Sequence, residues 1–285
     1  MADPIQLIEC PRDAWQAKEA FIPTEKKISY LQELLAVGFH TIDAGSFVSP
    51  RAVPQLADTA EVLKALDLRD TATRLSVILA NEKGAEQAAE LPFLSYWGYP
   101  LSVSETFQQR NTRQSISDGM EMAKRLQERA VRSNAALVIY ISMGFGNPYG
   151  DRYHSDQVLD LAQQLETLGV KIVSLADTVG LATPSQVAAL VTSCRTEYPS
   201  MQWGVHLHAR PEGQLEKIDA AYRSGCRRFD GAIGGHGGCP FAEDELVGNL
   251  NTRSLIDYLS AAQTDFSIDE KHFQTAAQLA QTIFP

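Results

Sequence analysis

A chain of 285 residues, 44% hydrophobic, can bury one large core, and its formal net charge of −10 argues against a general nucleic-acid role. No window approaches about 18 uninterrupted apolar residues, so no membrane span is expected, and the N-terminus lacks the basic-then-apolar pattern of a secretory signal. Four cysteines (Cys10, Cys194, Cys226, Cys239) form no CxxC pair and no dense framework, which points to free thiols in a reducing, cytoplasmic compartment.

Short apolar runs alternate with longer segments of helical period along the whole chain. The runs that read as strands are Ile5–Glu9, His40–Ala44, Arg74–Leu79, Phe93–Trp97, Leu137–Ser142, Lys171–Ala176, Trp203–His208 and Arg228–Ala232. Between and after them, helices are expected near Glu25–Leu35, Glu61–Leu66, Glu82–Glu90, Ser115–Ser133, Ser155–Leu168, Pro184–Tyr198, Glu212–Ser224 and Leu250–Ala262. Thr24 precedes a Glu-Lys-Lys first turn, and Thr183-Pro184 puts proline at the first helical position. Gly38, Gly169 and Gly225 each stand where a left-handed cap would end a helix. Eight strand-then-helix units predict a (β/α)8 barrel over about 5–262, with a helical extension over about 263–285, all in one domain. A doubly wound open sheet is the competing arrangement, and no GxGxxG follows the first strand to support a dinucleotide site.

In a barrel the C-terminal ends of the strands share one face, where such folds place their chemistry. Arg12-Asp13 follow the first strand, Asp43 and Ser46 the second, and Asp177-Thr178 the sixth. His206-Leu207-His208 end the seventh, and the eighth leads into Gly234-Gly235-His236-Gly237-Gly238-Cys239-Pro240. Alternate residues of a strand project to one side, so both imidazoles can reach one ion. Asp13 supplies a carboxylate oxygen and Asn249 an amide oxygen, a mixed set that suits six-coordinate Mg2+ or Mn2+ without excluding Zn2+. The plainer alternative is a pair of hydrogen-bonded barrel histidines with no metal. Arg12 beside Asp13 reads either as an ion pair or as a cation for a developing enolate. Asp177 reads as an orienter of a histidine or as a helix cap. The glycine run reads as a turn, or as a loop that carries the Cys239 thiol over a bound molecule.

Pro11-Arg12-Asp13, Asp43-Ala44-Gly45-Ser46-Phe47-Val48-Ser49-Pro50, Asp177-Thr178-Val179-Gly180, His206-x-His208, Gly237-Gly238-Cys239-Pro240 and Gly248-Asn249-Leu250 together resemble hydroxymethylglutaryl-CoA lyase. Order and spacing agree from about Leu7 to Leu259, and Gly-Gly-Cys-Pro is the discriminating element. The resemblance implies a metal-dependent retro-Claisen cleavage of 3-hydroxy-3-methylglutaryl-CoA to acetoacetate and acetyl-CoA, and a homodimer. By motif position it implies Asp13, His206, His208 and Asn249 as metal ligands. Arg12, Asp13, Asp43, His206 and Cys239 are the implied catalytic residues, and Gln16, Ser46, Asp177 and Thr178 the implied substrate contacts. Either His206 or Asp13 can take the hydroxyl proton. Arg51, Lys18 and Arg110 are the cations available for the phosphates of an acyl-CoA.

Where the family has Arg-Asp-Gly-Leu-Gln, this chain has Arg12-Asp13-Ala14-Trp15-Gln16, which is expected to place a bulky indole beside the metal and reshape the substrate pocket. Asp43 stands in place of the family's usual Glu, and His206-Leu207-His208-Ala209 replaces His-Cys-His-Asp. These departures admit a related aldolase or lyase acting on another 3-hydroxyacyl-CoA or hydroxy acid. A non-catalytic metal or CoA-binding barrel is a further reading. A metal hydrolase fits poorly, because its His-x-His belongs on the first strand rather than the seventh.

Overall fold

The computed structural model describes residues 4–16, 18–238 and 247–284. In chain order the elements are β1 (Gln6–Glu9), α1 (Pro11–Gln16), α2 (Thr24–Val37), β2 (Thr41–Ser46), α3 (Thr59–Lys64), β3 (Arg74–Ile78), α4 (Glu82–Ala89), β4 (Leu94–Ser102), α5 (Glu105–Thr112) and α6 (Ile116–Arg132). They continue with β5 (Ala136–Ser142), α7 (Ser155–Thr167), β6 (Ile172–Asp177), α8 (Pro184–Glu197), β7 (Gln202–Leu207), α9 (Gln214–Arg223), β8 (Arg228–Gly231), α10 (Thr252–Ala261) and α11 (Glu270–Ile283). Every strand runs parallel to the next, and β8 closes on β1 with Gln6 opposite Arg228 and Glu9 opposite Gly231. The expected TIM barrel and its C-terminal helix are both present, and the open sheet is excluded by that closing pair. No described helix is long and apolar enough to cross a membrane.

Gly38, Gly169 and Gly225 take φ of 87°, 81° and 88°, the left-handed conformation expected of them at helix ends. Thr183 caps α8 in a reciprocal box with Gln186, ahead of Pro184. Thr24 does not cap α2; its hydroxyl donates instead to Asp58 Oδ2 at 2.8 Å. Strand β4 runs on to Ser102, beyond the expected stop at Trp97, despite Pro100. Gly98 gives its carbonyl to Leu79 on the β3 side, and Pro100 has the same parity. The β3–β4 ladder ends at Gly98, so the missing N–H of Pro100 forfeits no ladder bond. Two short helices, α1 and α5, add to those the sequence pattern predicts.

The apolar core has two parts. The larger fills the shell between sheet and helices, from Leu7 and Trp97 through Leu175 to Phe273. The smaller, Ile78, Tyr96, Val138, Tyr140 and Ile172, lies inside the barrel and comes only from β3 to β6. The inner faces of β2, β7 and β8 instead present Asp43, His206, Arg228 and Asp230, all buried. The barrel interior is therefore apolar on one side and ionic on the other, and the ionic side opens at the strand ends.

Glu9 points the other way, outward under α10, where Oε1 accepts from the Ile233 N–H at 2.8 Å and Oε2 meets the Thr252 hydroxyl at 2.5 Å. Burial pushes its carboxyl up to about 8, against the pull of those two hydrogen bonds. A raised carboxyl favours the protonated fold, so stability contributed by Glu9 is whole below about pH 4.5 and declines toward about pH 8. Glu9→Gln keeps both hydrogen bonds and removes the ionisation. Urea unfolding should find it close to the parent near pH 5 and more stable near pH 9; equal pH slopes for the two proteins would count against a neutral Glu9.

Candidate active site

The turn after β1 is the helix α1, not an open loop, and this decides which side chains meet. One turn of helix sets Arg12, Asp13 and Gln16 on a common face. Arg12 Nη1 donates to Asp13 Oδ1 at 2.9 Å and to Gln16 Oε1 at 3.1 Å, and Gln16 Nε2 donates to Asp13 Oδ1 at 2.7 Å. Across the barrel mouth, Arg12 Nε and Nη2 both reach Asp43 Oδ2, at 2.9 and 2.6 Å. A guanidinium has five N–H donors. Four are committed in this way among the described residues, and one on Nη2 is left for a ligand.

Trp15 lies two positions beyond Asp13, about 200° round the helix. Its ring is buried in the outer core, 6.2 Å from that of Tyr30. The expectation of an indole beside the metal is thus overturned: the helical turn carries Trp15 away from the mouth.

Asp13, His206 and His208 each offer a ligand atom within 4.8 Å of the other two, and all three are buried. The two Nε2 atoms face each other at 3.1 Å. Ligands at about 2.1 Å and at right angles stand about 3.0 Å apart, whereas tetrahedral ones stand about 3.4 Å apart. Asn249 turns its Nδ2 to Asp13 Oδ2 at 2.7 Å and to the His236 carbonyl at 2.9 Å. That leaves its buried Oδ1 with no hydrogen-bond partner among the described residues. An orphaned amide oxygen next to a carboxylate and two opposed imidazole nitrogens fits a divalent cation with octahedral preferences.

Electrostatics sharpen the assignment. Burial would raise the Asp13 carboxyl, but Arg12, both histidines and the Asn249 amide hold it well below the usual carboxylate range. Asp43, fully enclosed, is pushed up by burial despite Arg12. Burial disfavours a charged His206, yet the Asp230 carboxylate at Nδ1, 3.1 Å away, holds it above its ordinary value. His208 is lowered by burial and by its neighbour His206, and its Nδ1 is fixed by the Val247 carbonyl at 2.6 Å.

Of the two readings of Asp177, orienting a histidine does not hold: Asp230 and the Val247 carbonyl take that role. Both Asp177 oxygens accept from the Ala182 N–H, and Lys217 Nζ binds Oδ2 at 2.7 Å. The same buried ammonium reaches the His208 carbonyl at 2.9 Å and that of Gly180 at 3.2 Å, so it ties the ends of β6 and β7 together. Ser46 donates to the Ile78 carbonyl and Thr178 accepts from the Met143 N–H, so each hydroxyl pins a strand end at the mouth. Asp230 and Lys217 escaped the sequence reading because each is a single charged residue with no neighbouring motif. Only alternation on β8, with Phe229 outward, hinted that Asp230 points inward.

Gly237, with φ of 117°, backs onto the ligand group: a Cβ there would collide with Asn249 Nδ2 and Asp13 Oδ2. The loop's start thus abuts residues from the first and last turns of the barrel. His236 stacks on Phe284 at 4.3 Å, and Lys18 stands 5.7 Å above the same ring. Arg110 covers Tyr149, and Arg51 is exposed. Cys239, the expected loop nucleophile or proton donor, lies outside the described residues.

The HMGL-like family model matches residues 5–280. Hydroxymethylglutaryl-CoA lyase of Bacillus subtilis is 30% identical, over 94% of this chain and 89% of that protein. A Pseudomonas aeruginosa protein named 3-hydroxy-3-isohexenylglutaryl-CoA/hydroxymethylglutaryl-CoA lyase is 32% identical, over 96% of this chain and 91% of its own. Among solved structures, an HMG-CoA lyase from Acinetobacter baumannii in complex with coenzyme A and 3-methylmalate superposes with a TM-score of 0.90, at 30% identity, covering 98% of this chain and 90% of that one.

The geometry at His206 yields a test. Asp230→Asn keeps a hydrogen-bonding group at Nδ1 and removes its charge; it should weaken Mn2+ binding, followed by electron paramagnetic resonance, by about 10–100-fold. Unchanged Mn2+ affinity would mean that Asp230 does not support a metal-binding His206.

Proposed function

We propose, from the premise that this chain belongs to the HMGL-like family, that it cleaves 3-hydroxy-3-methylglutaryl-CoA into acetoacetate and acetyl-CoA. It is a carbon–carbon lyase of the hydroxymethylglutaryl-CoA lyase type. The observation that carries the site assignment is the meeting of Asp13, His206, His208 and the orphaned Asn249 Oδ1 beside a guanidinium with one N–H to spare. Those four residues would hold Mg2+ or Mn2+. A divalent ion there would lower the pKa of a coordinated tertiary hydroxyl and polarise the carbonyl that forms from it.

The chain's own groups divide the remaining work. Arg12 is locked by Asp43, Asp13 and Gln16, so its free Nη2–H is aimed before the substrate arrives. It stabilises the enolate oxygen of the departing acetyl-CoA, a charge absent from the ground state. Of the two groups able to accept the hydroxyl proton, Asp13 is the weaker base, since Arg12, Gln16 and Asn249 already occupy its oxygens. The His206–Asp230 pair is the stronger, because the carboxylate at Nδ1 stabilises the imidazolium; a neutral imidazole has one free lone pair, so His206 takes the proton only with Nε2 released from the ion. Cys239, by its motif position, returns a proton to the acetyl-CoA enolate.

A wider acyl preference is the second reading. The Pseudomonas relative is named for substrates with a methyl and with an isohexenyl group, at an identity no lower than that of the Bacillus lyase. With Trp15 turned into the core, the indole does not narrow the mouth.

Incubation with hydroxymethylglutaryl-CoA and Mg2+ or Mn2+ should release acetoacetate, and a chelator should stop it. Cleavage of other 3-hydroxyacyl-CoAs with hydroxymethylglutaryl-CoA left intact would replace the first reading by the second. Arg12→Met should lower kcat by about 10²–10³ with little change in KM, the pattern of a contact made in the transition state. A loss confined to KM would reassign Arg12 to substrate binding.

A further inference from the structure

His206 has a donor set on each edge of its ring. Its Nε2 edge faces His208 and the group described above; its Nδ1 faces Asp230, and Cys10 lies beside this pair. One ligand atom each from Cys10, His206 and Asp230 lies within 4.8 Å of the other two, and all three residues are buried. The three come from β8, β7 and the residue following β1, which the closed barrel makes neighbours. Asp230 spends Oδ2 on His206, while its Oδ1 is buried without a partner among the described residues. Asp43 Oδ1 is orphaned in the same way. Arg12 pairs with Asp13 and Asp43, which leaves Asp230 facing the thiol and the imidazole. The Cys10 thiol makes a long 3.9 Å contact with the Ile8 carbonyl, and nothing in the proposed reaction uses it.

We propose that Cys10, His206 Nδ1 and Asp230 form a second cation site, selective for thiophilic divalent metals such as Zn2+ or Cd2+, that competes with the catalytic site for His206. Sulfur is a soft ligand and carboxylate and amide oxygens are hard ones, so the two sets sort cations by type. On binding, Cys10 gives up its thiol proton to solvent and its sulfur lone pair to the ion. A neutral imidazole has a single free nitrogen lone pair. Once Nδ1 donates to the soft ion, the ring proton must reside on Nε2, which then can neither coordinate nor accept a proton. The soft ion thereby disables the catalytic group without entering it. Only the competition rests on the function proposed above; the site itself rests on its donors.

The test is a Cd2+ titration of Mn2+-loaded protein carrying Cys239→Ser, a change that removes the loop thiol. Thiolate-to-Cd2+ absorbance reports the sulfur ligand, and electron paramagnetic resonance reports Mn2+ released. With Cys10 present, one Cd2+ per chain should give the band and expel Mn2+. With Cys10→Ser the band should vanish, and Mn2+ release should need about ten-fold more Cd2+ or beyond, while Mn2+ affinity without Cd2+ stays the same. Should the serine variant unfold, Cys10→Ala gives the same reading. A band that persists without Cys10 comes from Cys194 or Cys226 and overturns the proposal, as does Cd2+ binding that leaves Mn2+ in place. Because neither signal needs turnover, a failed cleavage assay and a failed metal site are told apart.

Discussion

The arrangement at the barrel mouth depends on burying one guanidinium between two carboxylates, one from a helix and one from a strand. Arg12 bridges Asp43 on β2 and Asp13 on α1, and all three are shielded from water. A buried charge with no partner is costly, and breaking such a group leaves the remaining charges stranded. The cluster therefore sets the direction in which α1 leaves β1, and with it the position of Asp13. Every later feature of the site is measured from that carboxylate: Asn249 donates to its Oδ2, and the backbone of Gly237 lies against it.

The two-sided barrel interior explains how such a group is tolerated. Aromatic and branched side chains from β3 to β6 fill one half and exclude water. The low dielectric this creates strengthens the attraction among charges on the other half. It also raises the demand for full pairing, and the orphaned oxygens of Asp43, Asp230 and Asn249 stand where that demand is unmet. Such atoms cluster where a fold has been shaped around a ligand rather than for stability alone.

Support from outside the mouth is equally specific. Lys217 reaches from α9 to hold the main chain at His208 and Gly180. The segment after the glycine loop pairs with the end of β7, with the Ala209 N–H on the Gly248 carbonyl at 3.0 Å and the Leu250 N–H on that of Leu207 at 3.2 Å. The described residues on either side of the glycine loop thus rest on ligand-bearing residues or their neighbours: Gly237 on Asn249 and Asp13, and Val247 and Gly248 on His208 and Ala209.

Strand and helix periods are local, so eight alternations and their order stood in the sequence, as did the glycine caps at Gly38, Gly169 and Gly225. The motif residues Arg12, Asp13, Asp43, His206, His208 and Asn249 were legible too, because a barrel sends all strand ends to one face. What lay beyond reach were side-chain directions set by a single helical turn or by isolated charges. The six-residue α1 turned Trp15 into the core, Asp177 went to Lys217 in place of a histidine, and Asp230 took the orienting role. Those outcomes follow from which residues closure brings within a few ångströms, 40 positions apart for Asp177 and Lys217 and 24 for His206 and Asp230. A linear pattern records periodicity; pairing across such gaps is a property of the closed barrel alone.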